Sequence, residues 1–137
     1  MYIKFKATGF GPKHYDINGE IINGIDFSVF KHGDKFIGDD KTQNAGIRDA
    51  YRDEKGELHI TLKQVVITSQ LKGRKAHWRE GSFIAASEYN PDKCYVVPTG
   101  VADLVEGKDY QIVKGIDSAG AEGWTITEVK NGLVQNR

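Results

Sequence analysis

Cysteine is almost absent from this chain. Its single thiol, Cys94, cannot form an intrachain disulfide, so folding must rest on a buried core. Proline is nearly as scarce, with three residues in 137. An excess of either charge is missing too: 19 basic and 19 acidic side chains cancel. That disfavours a general nucleic-acid binder working by phosphate neutralisation. No apolar run approaches the roughly 20 residues that span a bilayer. The start, Met1-Tyr2-Ile3-Lys4-Phe5-Lys6, alternates charge with apolar residues where a signal peptide would be continuously apolar. The expectation is a protein of the cytosol in which it is made, or of an assembly put together there, with no membrane contact.

Motifs that carry chemistry are also missing. His14, His32, His59 and His77 are scattered, no second cysteine accompanies Cys94, and Asp34, Asp39 and Asp40 lack the spacing of a calcium loop. Gly9-Phe10-Gly11 is too short for a dinucleotide loop, and no Gly-x-Ser-x-Gly elbow exists. Cys94 stands in an apolar strand context, where a free thiol is usually a small buried hydrophobe. The expectation is no enzyme, no metal and no cofactor.

What the chain does have is punctuation. Asn18-Gly19, Asn23-Gly24 and Asn131-Gly132, with the turn Asn90-Pro91-Asp92-Lys93, cut it into short alternating runs. Asn-Gly supplies the positive φ angles of a two-residue hairpin loop, and proline presets φ in a tight turn. A hydrophobic share of 39% against 28% charged residues excludes wholesale disorder. The reading is a mainly β fold, all-β or α+β with little helix. Its antiparallel sheets would be built from consecutive hairpins as a sandwich or partly open barrel.

Residues 1–8 form the first predicted strand, with Ile3, Phe5 and Ala7 on one face. Hairpins are expected about Asn18-Gly19 and about Asp53-Glu54-Lys55-Gly56, and a strand over Ile25–Phe30 with Ile25, Phe27 and Val29 on one side. Lys31 to Gly46 and Ser69 to Lys75 read as polar loops. A helix over 42–51 is the rival for Ile47–Arg52, with Gly46 against it. The run Val65-Val66-Ile67, apolar on both phases, suggests a central strand or a bulge near Lys63-Gln64. Cys94–Val97 reads as a strand. A boundary at Pro98-Thr99-Gly100 divides a β-rich main domain, 1–98, from a C-terminal hairpin extension, 99–137. In the extension Tyr110–Val113 pairs with Trp124–Thr127, and Leu133-Val134 adds a last strand.

Two constellations stand out. Lys72, Arg74, Lys75, His77, Trp78 and Arg79 crowd cations, an imidazole and an indole into eight residues. Such a mixture can neutralise phosphates while stacking a base on Trp78. Alternatively, Trp78 turns into the core and the cations pair with Glu80 or Asp53. The second constellation is tyrosine: Tyr2, Tyr15, Tyr51, Tyr89, Tyr95 and Tyr110 exceed what one small core needs. Tyr2, Tyr15, Tyr51 and Tyr89 are candidates for a protein interface or self-association, and cross-strand pairing on a half-solvated sheet is the alternative.

The stretches Ala50–Leu62, Ala76–Glu80 and Ala86–Pro98 resemble small β-rich proteins encoded by tailed bacteriophages and prophages, of the tail or tail-fibre region. The resemblance implies a non-enzymatic role: a virion building block, a tail-associated adaptor, or a host-directed accessory protein. Its partners would be other phage or host proteins or further copies of itself, with nucleic acid disfavoured, and its place the host-cell cytoplasm or the virion. Two other functions fit the residues: a binder of phosphorylated or nucleotide compounds through the basic segment, and a carbohydrate-binding module using exposed rings.

Overall fold

A computed structural model of the chain describes residues 1–29, 31, 35–37, 40–67, 70–71, 74–75 and 77–129. In chain order the strands are β1 (Tyr2–Thr8), β2 (Ile17–Asn18), β3 (Ile21–Ile22), β4 (Ile25–Asp26) and β5 (Lys35–Ile37). A short helix, α1 (Asp40–Asn44), precedes β6 (Ile47–Arg52), β7 (Leu58–Val65), β8 (Gln70–Leu71), β9 (Arg74–Lys75) and β10 (His77–Arg79). After β11 (Ile84–Ala85) and a 3-10 turn over Ala86–Glu88 come β12 (Val97–Thr99), β13 (Tyr110–Ile116) and β14 (Glu122–Glu128). The fold is mainly β, in several mostly antiparallel sheets with hairpins, none closed into a barrel.

The central sheet runs β11-β1-β7-β6-β5. Its middle pair departs from a chain of consecutive hairpins, because β1 lies parallel to β7 from Tyr2 opposite His59 to Thr8 opposite Val65. Parallel neighbours need a long crossover, and the segment between them supplies β2 to β6. Alternation on β1 and β7 then sorts the side chains. Ile3, Phe5, Leu58, Ile60 and Leu62 point inward at 0–1% exposure and join Ile22, Phe27, Ile47 and Val96 in the main core.

The turn chemistry works mostly as the residues dictate. Asn23 and Gly24, at φ 46° and 82°, form the two-residue loop between β3 and β4, with Ile22 opposite Ile25. Asp53 and Asp117 close two turns of the same design. In each, one carboxylate oxygen accepts two backbone N–H bonds at 2.9 Å, from Lys55 and Glu57 in the first and from Ala119 and Ala121 in the second. Asn90 heads the proline turn, its side chain accepting from Asp92 N at 2.9 Å.

Several expectations are corrected. The first hairpin loop is Gly19-Glu20, one residue later than Asn18-Gly19, since Asn18 pairs with Ile21. Arg52 grips Glu20 in that loop with two hydrogen bonds at 3.0 Å. β4 stops at Asp26, whose side chain accepts from Ser28 N, so Val29 is 72% exposed instead of following Phe27 inward. The span read as a loop before Gly46 contains β5, paired with β6, and α1. The bulge lies on β6 between Ile47 and Asp49, not near Lys63. The polar segment after it carries the small β8–β9 pair. Pro98 and Thr99 are strand residues, paired with Trp78 and His77, and Cys94–Val96 precede that strand. His32, Asp34, Asp39, Lys72, Asn131-Gly132 and Leu133-Val134 lie outside the described residues.

The C-terminal hairpin β13–β14 has its own small cluster of Val101, Tyr110 and Ile126. Trp78 packs against both clusters, and the Ile67 N–H donates to the Trp124 carbonyl at 2.8 Å, joining the hairpin to the end of β7.

Candidate functional site

The outward face of the central sheet gathers rings in a row. Tyr51 on β6 stands opposite His59 on β7, and His59 stands opposite Tyr2 on β1. Side chains directly opposite across strands lie about 5 Å apart, and here they stack. Tyr51 and His59 have centroids 4.7 Å apart with planes at 2°; His59 and Tyr2 are 5.3 Å apart at 27°. Phe83 meets His59 edge-on at 4.9 Å. Lys4 Nζ lies 4.9 Å from the Phe83 centroid and 3.2 Å from Glu80.

His59 is oriented from below. Its Nδ1 lies 3.2 Å from the Glu57 carbonyl and 3.7 Å from Asp53 Oδ2. Asp53 is held below the ordinary carboxylate range, first by the backbone N–H of Glu57 and also by Lys55 and the nearby imidazole. Further along the same face Lys63 is buried. Its ammonium reaches the Gln43 carbonyl at the end of α1 and sits 4.7 Å from the Phe10 centroid, two contacts that offset its desolvation.

Among the described side chains of the basic segment, His77, Trp78 and Arg79 do not form a stacking platform. On β10, His77 and Arg79 are exposed, while Trp78 between them turns toward the body. Its indole N–H is buried with no hydrogen-bond partner among the described residues. Arg74 and Lys75 lie on β9. The acids expected to pair with this segment are engaged elsewhere: Glu80 with Lys4, Asp53 with His59.

The four candidate interface tyrosines divide. Tyr2 is 39% exposed and Tyr51 half-buried, both on the outward row. Tyr15 is buried at 6%, and its surface placement is corrected. Its ring packs on Phe5, its hydroxyl donates to the Lys63 carbonyl, and Lys63 N donates back at 3.1 Å. Burial pushes that phenol well above its ordinary range. Tyr89 is half-buried against Phe5, with its hydroxyl accepting from Tyr15 N at 3.0 Å. These rings are long enough to carry a hydroxyl to backbone groups that the core would otherwise orphan. Tyr95, 4.9 Å from Phe5, extends the same internal stack.

Cys94 is half-buried, its thiol donating to the Val96 carbonyl at 3.4 Å. Burial pushes its pKa up to about 12, so the nucleophilic thiolate is scarce at neutral pH. Among the described residues no three His, Cys, Asp or Glu side chains gather as a metal site, and no helix is long and apolar enough to cross a membrane.

No family model, curated protein or solved structure matches the chain.

Reading the sequence missed His59 and Phe83. The signal for His59 was one residue out: a turn over Asp53–Gly56 pairs Tyr51 with Leu58 by counting outward, whereas the loop runs to Glu57 and puts Tyr51 opposite His59. The neighbour Tyr2 gave no such signal, because the parallel register of β1 on β7 depends on a crossover of some fifty residues.

Proposed function

We propose that this chain is a non-enzymatic protein-interaction module of a phage or prophage, tail-associated or accessory, and that it meets its partner through the Tyr2–His59–Tyr51 face. The observation that carries the reading is the stacked row itself. Three rings aligned across three strands, with Phe83 against the middle one, form a rigid, flat and partly apolar surface with polar tips. Tyrosine in such a setting gives large contact area at small entropic cost, the composition favoured at the centre of protein interfaces. Partners of this class are other phage proteins, host proteins or a second copy of the chain. The nucleotide reading loses its main support, since the Trp78 ring faces the body.

The test is affinity capture from phage-infected lysate, alongside sedimentation velocity, for the wild type and for Tyr2→Ala and Tyr51→Ala. Each substitution should cost about 1 kcal/mol or less of stability, as loss of a cross-strand pair, and should abolish recovery of the partner or shift the oligomer toward monomer. Identical recovery and identical sedimentation for all three proteins would remove this reading.

A further inference from the structure

Asn18-Gly19 and Asn23-Gly24 share the sequence Ile-Asn-Gly, so their immediate covalent chemistry is alike. Asparagine is a thermolabile residue, and a following glycine leaves the next backbone nitrogen unshielded by any side chain. By sequence alone the two sites are twins.

The structure separates them. Asn23 has both ends of its amide held. Its Oδ1 accepts from Asp16 N at 2.8 Å, and its Nδ2 donates to the Ala45 carbonyl at 2.9 Å. Asn18, the last residue of β2, is exposed, and no hydrogen bond reaches its side chain among the described residues. Gly19 is exposed as well, at φ 60°, with nothing within 4 Å of where a side chain would stand. The β2–β3 pairing ends at Asn18 opposite Ile21, and the Gly19 N–H makes no hydrogen bond among the described residues. Both strands are two residues long, so the rotation that brings the Asn18 amide over Gly19 N opens very little structure.

We propose that Asn18 is a site of spontaneous deamidation in the folded protein, and that the two hydrogen bonds on Asn23 protect its twin. Gly19 N loses its proton to solvent and bonds to Asn18 Cγ. The Cγ–Nδ2 bond breaks, and Nδ2 leaves as ammonia with a proton taken from solvent. Water then opens the cyclic imide at either carbonyl. Attack at Cγ gives aspartate. Attack at the main-chain carbonyl gives isoaspartate, which routes the backbone through the side chain and lengthens it beside the Gly19-Glu20 loop. Water is the only co-reactant. None of this uses the Tyr2–His59–Tyr51 face, so the two proposals stand or fall separately.

The test ages the full chain in mildly alkaline buffer, once native and once in urea. Each conversion adds a negative charge to a chain whose formal net charge is zero, so ion exchange isolates the product. Cleavage after Glu20 puts Asn18 and Asn23 on separate fragments, and mass spectrometry reads amide-to-acid conversion in each. In urea neither side chain is held, and the ratio of the two rates there reports flanking sequence alone. The native protein should favour Asn18 over Asn23 by at least about tenfold more than urea does, because two hydrogen bonds must open before Asn23 reacts. A native ratio equal to the urea ratio, faster conversion at Asn23, or an Asn18 that converts in urea but persists in the native protein would each overturn the proposal.

Discussion

Tyr15 fits against Gly46 only because Gly46 has no side chain. A Cβ there would lie 2.6 Å from the Tyr15 ring and 2.8 Å from Pro12, and it would also meet the Tyr15 hydroxyl. The backbone at Gly46 has φ 91°, in the left-handed region that side chains resist. This glycine ends α1, admits Tyr15 to the core and starts β6. Gly46→Ala should therefore combine backbone strain with overpacking and cost about 2–4 kcal/mol. Urea denaturation measures it, and a loss below about 0.5 kcal/mol, the range of an ordinary surface change, would contradict the fit described.

Arg52 ties three turns together. Its guanidinium donates twice to Glu20 at 3.0 Å, once to the Gly56 carbonyl at 2.9 Å and once to the Phe27 carbonyl at 3.0 Å. The hydrogen bond from Arg52 holds the Glu20 carboxyl below its usual value. A carboxylate whose folded pKa is depressed adds stability that is full above its unfolded pKa and is lost as pH falls through the folded one. Wild-type stability should thus fall below about pH 4.5 more steeply than that of Glu20→Gln. Parallel urea midpoints from pH 7 to pH 3 for the two proteins would contradict this.

Cys94 should be slow to react. With the thiol pushed up to about 12, its labelling by a disulfide reagent at pH 7.4 should run about a hundredfold or more slower in the native protein than in the urea-unfolded chain. Comparable rates would place the thiol in a different environment from the one described.

Much of this architecture could be read locally. β1 ends at Gly9-Phe10-Gly11-Pro12, its inward face was visible as Ile3 and Phe5, and Asp53-Glu54-Lys55-Gly56 predicted its own turn. Each of those features depends on residues a few positions apart. The outward row was half legible: Tyr2 and Tyr51 were marked as candidates, but nothing local marked Tyr15 and Tyr89 as belonging inside. A tyrosine serves a core or a surface equally well, and the deciding groups are backbone atoms at Gly46 and Lys63, some thirty to fifty residues away from Tyr15.

By itself, then, the chain of residues determined a β-rich body, free of disulfides, neutral in charge, with reversals at particular Asn, Asp and Gly positions. Those are matters of φ preference, period-two alternation and composition, which act over short spans. Tertiary structure alone decided that β1 would insert beside β7, that Trp78 would turn inward, and that β13 would pair with β14 alone among the described strands. Each of these depends on which distant strands compete successfully for the same hydrogen bonds and the same apolar volume, a competition that closes long loops and leaves no local trace.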